Sequence, residues 1–259
     1  MSEAGHITTE RQGDVLLIGL DRVAKRNAFD LAMLRALPEG ARMVLSKQAI
    51  CDLYRKRARH YDLALRIYGV LGFRWDHYRR ETVNALALKP GDMVVDLACG
   101  TGLNFPLLEQ AVGANGRIIG VDVTQAMLDQ AHRRVRTSGW QNVDLIQADL
   151  ARYAFPPNVG GILSTLAITL VAEYDDVIRN GAAALRPGGR MAILDLKKPE
   201  QWPEWLIRFG AWLNKPFGVS IELADRHPWE SLRRHLGEVL FREYYFGGVY
   251  LAVGEAPKR

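Results

Sequence analysis

A chain of 259 residues with 48% hydrophobic composition can bury a full core, as one large domain or two small ones, and nothing in it points to disorder, collagen or a disulfide scaffold. Two cysteines, Cys51 and Cys99, with no Cys/His cluster at ligand spacing argue against a structural zinc site; the net charge of +5 only mildly favours acidic partners such as phospholipid headgroups or nucleic acid. No run of about 18 apolar residues is present to span a bilayer, and the opening residues Met1 to His6 lack the basic start and apolar stretch of a secretory signal, so the expected location is the cytoplasm.

The first forty residues read differently from the rest. Residues 14–20 (Asp-Val-Leu-Leu-Ile-Gly-Leu) suit a strand, and residues 27–37 have helical spacing stopped by Pro38 and Gly40. Residues 7–37 resemble the opening of the crotonase (enoyl-CoA hydratase/isomerase) family. There, a segment like Arg26-Asn27-Ala28 follows a strand and lends a backbone N–H to an oxyanion hole. The family's second oxyanion donor, its Gly-rich turn and its catalytic carboxylates have no counterpart downstream, and half an oxyanion hole does not catalyse. The expectation is a fusion scar or an over-long start, with Met43 as the original initiator; the other reading is a docked accessory hairpin.

From Ser46 the character changes. Residues 48–68 form a basic helical stretch that includes Arg55-Lys56-Arg57 and Arg59-His60-Tyr61-Asp62, and residues 69–81 add a turn and an aromatic helix start. Strands are expected at 93–97, 117–121, 143–147, 161–163 and 190–196, alternating with helices at 104–112, 125–137 and 175–185. Such alternation means an α/β chain with parallel strands and crossover helices, a doubly wound sheet whose ligand site lies at the carboxyl ends of the strands. Residues 238–245 and 250–253 read as a terminal antiparallel hairpin turning at Gly247-Gly248. The organisation is then an extension (1–42), a helical cap (43–90) and a core (91–259) with an insert at about 198–237.

The most informative stretch is Val94-Val95-Asp96-Leu97-Ala98-Cys99-Gly100-Thr101-Gly102. An apolar strand ends in a carboxylate, and a glycine turn then opens a helix. Asp122 stands twenty residues after Gly102, at the tip of the next strand, where a carboxylate can accept from two ribose hydroxyls. A dinucleotide site wants a third glycine where this chain has Phe105, so pyrophosphate is disfavoured and a nicotinamide-dependent oxidoreductase is the first rival reading. S-adenosylmethionine carries no phosphate and needs an acid near its ammonium, a role open to Asp96.

The segment from Asp96 through Gly100, Thr101 and Gly102 resembles the first motif of class I S-adenosylmethionine-dependent methyltransferases, and Asp122 matches that family's ribose-binding acid. The turn Leu185-Arg186-Pro187-Gly188-Gly189-Arg190 matches the family's entry to its fifth strand. The resemblance covers roughly residues 47–254 and is strongest to the ubiquinone/menaquinone and phospholipid N-methyltransferase branch. It implies a Rossmann-like, mostly parallel seven-stranded sheet with a C-terminal antiparallel hairpin. It also implies that Met127 and Leu150 flank the adenine, that Asp149 contacts the adenine amino group, that Ser164 lines the pocket, and that Tyr61 closes over the methionine end. Read without the resemblance, Met127 is equally a core residue and Asp149 a turn cap.

Displacement at an activated sulfonium needs alignment and exclusion of water more than a dedicated base, and no catalytic base is assigned. His60, Tyr61, His77 and Tyr78 are the groups near the expected mouth. After the fourth strand Ser164-Thr165-Leu166-Ala167 stands where enzymes that methylate exocyclic amines carry Asn/Asp-Pro-Pro-Tyr, which disfavours nucleic acid. In the insert, Trp205, Phe209 and Trp212 share one helical face beside Arg208 and Lys215, which suits an apolar lid or contact with a membrane surface. The expected acceptor is a lipid or apolar small molecule, with N-methylation of a phosphatidylethanolamine-like headgroup ahead of C-methylation of a quinone ring. A non-catalytic donor-binding module is the remaining alternative.

Overall fold

The computed structural model describes residues 6–12, 15–21, 51–55, 58, 61–62, 73–199, 202–203, 223 and 226–258, and it divides into two units, Met1–Val44 and Leu45–Arg259. The first unit holds β1 (His6–Gln12) and β2 (Val15–Asp21), an antiparallel pair in which Gln12 faces Val15 and His6 faces Asp21. The expected strand is β2; β1 was not anticipated, because its alternation of Thr, Glu and Arg offers no apolar run. Residues 22–50, with the crotonase-like Arg26-Asn27-Ala28 and the expected helix after it, lie outside the described residues.

The second unit is built on seven strands: β3 (Met93–Leu97), β4 (Arg117–Asp122), β5 (Val143–Gln147), β6 (Val159–Thr165), β7 (Leu185–Leu196), β8 (Gly237–Tyr244) and β9 (Val249–Glu255). Their order across the sheet is β5-β4-β3-β6-β7-β9-β8, with β5 through β7 parallel and β9 and β8 antiparallel. This is the doubly wound α/β sheet with a terminal antiparallel hairpin that the alternation implied. Both faces are covered, so the inner strands are apolar without alternation. Val94 and Ile118 pack into one core, whereas Val95, Leu97, Ile119 and Val121 pack into the other.

Besides the helical residues at 51–55 and 61–62, the helices are α1 (Trp75–Ala85), α2 (Phe105–Val112), α3 (Gln125–Ser138), α4 (Tyr174–Ala184) and α5 (Pro228–His235). On α1 the buried side chains are Trp75, Tyr78, Arg79, Thr82 and Val83, a stripe spaced three and four apart that includes one arginine. Helix α3 ends where Gly139 turns left-handed at φ +73°, a conformation glycine adopts without penalty. Helix α5 was not anticipated; its signal is Pro228 in the first turn followed by Leu232 on the buried side.

Chain reversal in strand order occurs between β3 and β6, because β4 lies on one side of β3 and β6 on the other. Crevices at such switch points receive ligands in open α/β sheets. Among the described residues no helix is long and apolar enough to cross a membrane.

Candidate functional site

The loops at the carboxyl ends of β3, β4, β5 and β6 enclose a cavity of about 810 Å3, its open mouth included. Ala98 and Gly100 come from the turn after β3, Asp122, Val123 and Thr124 from the end of β4, and Met127 from α3. Asp149 and Leu150 follow β5, and Thr165, Leu166, Ala167, Leu170 and Val171 close the far side; Cys51, Tyr54 and Tyr61 come from the N-terminal helical stretch. Two wall residues, Ala98 (φ +51°) and Leu166 (φ +59°), hold left-handed backbone that only glycine adopts freely. Such strain collects where a turn must present particular atoms to a ligand.

Asp122 is the best-defined polar group on the wall. Its Oδ2 accepts from the Gly100 amide at 2.9 Å and its Oδ1 from the Thr124 amide at 2.8 Å, and the residue is 7% exposed. Each carboxylate oxygen has a second lone pair, so the group can still take two further donors, as a ribose diol would offer. Burial raises its pKa, and the two amides and Thr124 oppose that rise.

The glycine turn is satisfied internally. The Cys99 amide donates to the Val121 carbonyl, the Gly100 amide to Asp122, and the Gly102 amide to the Cys99 carbonyl. A phosphate cradle needs such amides free and pointing outward; here they are spent within the fold. Gly102 has φ +76°, and a Cβ there would stand 2.5 Å from the ring of Phe105, which is fully buried. Gly102→Ala is accordingly expected to cost about 2 kcal/mol or more, from the left-handed backbone and the ring overlap together. Thermal unfolding checks this: an unchanged melting temperature would refute it.

Asp96 is wholly buried and does not reach the cavity surface. Both of its oxygens accept from Asn104 Nδ2, at 3.1 and 3.0 Å, and the same amide nitrogen donates to Thr165 Oγ1, which belongs to the wall. Burial pushes Asp96 up to about 7, against the opposing pull of Asn104 and Arg79. Asn104 Oδ1 is buried with no hydrogen-bond partner, so an acid and an orphaned acceptor stand together one layer behind the wall. A pair of acceptors poor in donors suits a cationic ligand group. On the cavity surface itself the Asp122 carboxylate fits a ribose, with Met127 and Leu150 apolar among the other lining residues; Asp96 and Asn104 add negative character from behind the Thr165 wall.

Of the other residues singled out from sequence, Tyr61, Gly100, Met127, Asp149 and Leu150 line the cavity. Met127 is also 3% exposed and Asp149 also caps the turn at Leu150–Arg152 by accepting from the Ala151 amide at 3.1 Å, so each combines its structural role with a place on the wall. Thr101 does not line the cavity; it is buried and its hydroxyl donates to Asp62. Ser164 does not either. It is 2% exposed inside β6 with Oγ unpartnered, and its neighbour Thr165 takes the wall position. The reason is strand length: β6 runs to Thr165, and side chains alternate along it, so the residue facing the crevice is one further on. His77 is exposed, and Tyr78 is buried and stacked on Tyr244 with centroids 4.6 Å apart; neither is part of the wall. His60, Trp205, Phe209 and Trp212 lie outside the described residues.

Sequence reasoning missed the apolar half of the site. Asp195, 4% exposed at the end of β7, accepts from the Thr169 amide at 3.0 Å and its hydroxyl at 2.9 Å, while Arg226 Nη1 donates to the Thr169 carbonyl at 2.7 Å. These bonds fix the turn between Ala167 and Val171, which forms the apolar wall. No sequence pattern signals a carboxylate that folds a loop from 26 residues away.

Comparison with known proteins agrees with this geometry. Residues 42–216 match the model of the ubiE/COQ5 methyltransferase family; the crotonase-like stretch before them is not part of that match. A demethylmenaquinone methyltransferase of Symbiobacterium thermophilum is 33% identical over 167 residues, covering 63% of this chain and 64% of that protein. The ubiquinone/menaquinone biosynthesis C-methyltransferase UbiE of Shewanella frigidimarina is 30% identical over 156 residues, covering 58% and 60% respectively. The chain thus spans just under two thirds of the length of these relatives. Among solved structures, geranyl diphosphate C-methyltransferase of Streptomyces coelicolor, solved with S-adenosyl-L-homocysteine, superposes with a TM-score of 0.56 at 15% identity, over 70% of this chain and 78% of that one. At that identity the likeness concerns the fold.

Proposed function

This chain belongs to the ubiE/COQ5 methyltransferase family, and from that premise we propose that it transfers the methyl group of S-adenosylmethionine to a ring carbon of a quinol-like aromatic acceptor. The observation that carries the reading is the lining of the cavity. The ends of β3 and β4 bring Gly100 and the Asp122 carboxylate to it, and the segment after β6 adds four apolar residues, Leu166, Ala167, Leu170 and Val171. A phosphatidylethanolamine headgroup carries a phosphate and an ammonium, and among the described residues the 166–171 segment lines the cavity without a charged group. A planar ring suits it. The names of the relatives, demethylmenaquinone methyltransferase and C-methyltransferase, support the ring reading over N-methylation of a headgroup, and the family match displaces the nicotinamide-dependent oxidoreductase.

S-adenosylmethionine, when bound, supplies a methyl carbon activated by the adjacent sulfonium. The protein then has three tasks. Asp122 would hold the ribose and Met127 and Leu150 the purine, fixing where the nucleoside lies. The acid of Asp96, with Asn104, would face the amino-acid end through the Thr165 side. The apolar wall would set the acceptor ring flat and exclude water, so that alignment supplies most of the rate. Burial raises the pKa of the Tyr61 phenol; it therefore stays protonated at neutral pH, able to donate to an acceptor oxygen and unfit to act as a base. A quinol-like ring carbon would bond to the methyl carbon as the methyl–sulfonium bond breaks and S-adenosylhomocysteine is left; the proton on that ring carbon would then be lost to water to restore aromaticity, one proton being released overall.

The test is a competition between acceptors. Purified protein is incubated with methyl-labelled S-adenosylmethionine and either a reduced demethylnaphthoquinone in detergent or phosphatidylethanolamine vesicles. Label on the quinol ring is the expected result. Label on the phospholipid amine would reverse the reading, and tight donor binding with label in neither would favour a non-catalytic module.

A further inference from the structure

Arg134 occupies an unusual place. The buried residues of α3 are Met127, Leu128 and Ala131, and the same stripe continues through Arg134 at the next turn, where an apolar side chain is the ordinary choice. Its side chain is only 27% exposed. Its Nη2 donates to Asp62 Oδ2 at 2.6 Å and its Nε to the Thr101 carbonyl at 2.9 Å. The Thr101 hydroxyl in turn donates to Asp62 Oδ1 at 2.6 Å. The three residues close a ring: one guanidinium fork and one hydroxyl grip both oxygens of a single carboxylate, and the fork also holds the backbone of the glycine turn.

Every member of that ring adjoins a cavity residue. Asp62 follows Tyr61, Thr101 follows Gly100, and Arg134 shares a helix face with Met127, two turns earlier. The N-terminal stretch that carries Cys51, Tyr54 and Tyr61 is thereby tied to the two elements on which the nucleoside side of the cavity is built.

We propose that Arg134 is a positioning residue that clasps the Tyr61–Asp62 segment over the donor cavity and so sets how fast the nucleoside leaves. The proposal rests on the donor-binding reading of that cavity. A charge-assisted, two-pronged bond of this kind is short and directional, and arginine makes it in a way lysine does not. With the clasp shut, Tyr61 forms part of the wall; with it open, that wall is held by fewer bonds and the bound nucleoside is freer to escape.

The experiment measures affinity and dissociation rate of S-adenosylhomocysteine by calorimetry and stopped flow, with the melting temperature of the ligand-free protein as a control for folding. Arg134→Met is expected to weaken binding about tenfold, mainly through faster dissociation, because it removes at once the partly exposed ion pair to Asp62 and the bond to the Thr101 carbonyl. Asp62→Asn is expected to do the same, and Arg134→Met combined with Asp62→Asn to be no worse than either alone, because both remove one interaction. Arg134→Lys, which reaches Asp62 but not the Thr101 carbonyl at the same time, is expected between Arg134→Met and the wild type. A lowered melting temperature with unchanged affinity and dissociation rate overturns the proposal, as do additive effects in the double variant. If Arg134→Met fails to fold, Asp62→Asn and Arg134→Lys decide alone by the same criteria. If the wild type itself does not bind S-adenosylhomocysteine, the donor reading fails first and the clasp falls with it.

Discussion

Asp122→Asn is expected to weaken S-adenosylhomocysteine binding on the order of a hundredfold while leaving the chain folded. The two Asp122 oxygens already accept the Gly100 and Thr124 amides, so the carboxylate is aimed before any ligand arrives. A ribose diol would add two hydrogen bonds to an ionised acceptor, and bonds of that kind contribute about 1.5–3 kcal/mol each. An asparagine keeps one accepting oxygen. Its amide group would point a donor at one of the two backbone N–H groups, so either the turn after β3 or the start of α3 loses its hold. Loss of roughly 3 kcal/mol corresponds to the hundredfold change. Isothermal calorimetry on the variant, with circular dichroism to verify the fold, gives the answer. Affinity within twofold of wild type would remove Asp122 from the donor site, and the assignment of the cavity with it.

Asp122 was legible in the sequence because a local rule places it: an apolar strand, a fixed crossover length and a carboxylate at the strand tip. Gly100 follows from the same glycine turn, whereas Met127 and Leu150 are placed by the family resemblance; read from the residues alone, Met127 is equally a core position. Where a strand continues past its last apolar residue, the rule slips by one, as it did at Ser164 and Thr165. Three kinds of feature leave no local trace. Strand β1 is polar and gains its identity only by pairing with β2. Asp195 and Arg226 converge on Thr169 from distant parts of the chain. Asp62 and Arg134, 72 residues apart, look like two ordinary surface charges until the fold brings them together. Composition and periodicity report which side chains seek the interior; they do not report which polar groups meet there. The choice of acceptor was obscured for a related reason. Aromatic residues with flanking cations in the insert suggest a membrane surface and a headgroup, whereas the apolar wall at 166–171 is built by short segments too irregular to carry a period.

The second large effect concerns pH. Burial holds Asp96 at about 7 in the folded protein, against an ordinary value of 3.8. A carboxyl whose folded pKa is raised takes up a proton on folding between those two values. Its contribution to stability is therefore complete below pH 3.8 and is lost as pH rises through about 7, at about 1.4 kcal/mol per pH unit within the window. Asp96→Asn removes this dependence, so the variant's ligand-free melting temperature should fall less than that of the wild type between pH 4 and pH 8. Donor binding should show the opposite slope. An ammonium needs the ionised acid, so wild-type affinity for S-adenosylhomocysteine should rise by up to tenfold per pH unit on approaching pH 7 and then level off, with protons released on binding below that point. Asp122 and Asp195 are also raised by burial, but they are present in both proteins, and the difference between the two profiles isolates Asp96. Calorimetry in buffers of unequal ionisation enthalpy counts the released protons directly. Parallel pH profiles for wild type and Asp96→Asn would mean that the acid behind the Thr165 wall serves only to brace Asn104, and the amino-acid end of the donor would then need a different partner.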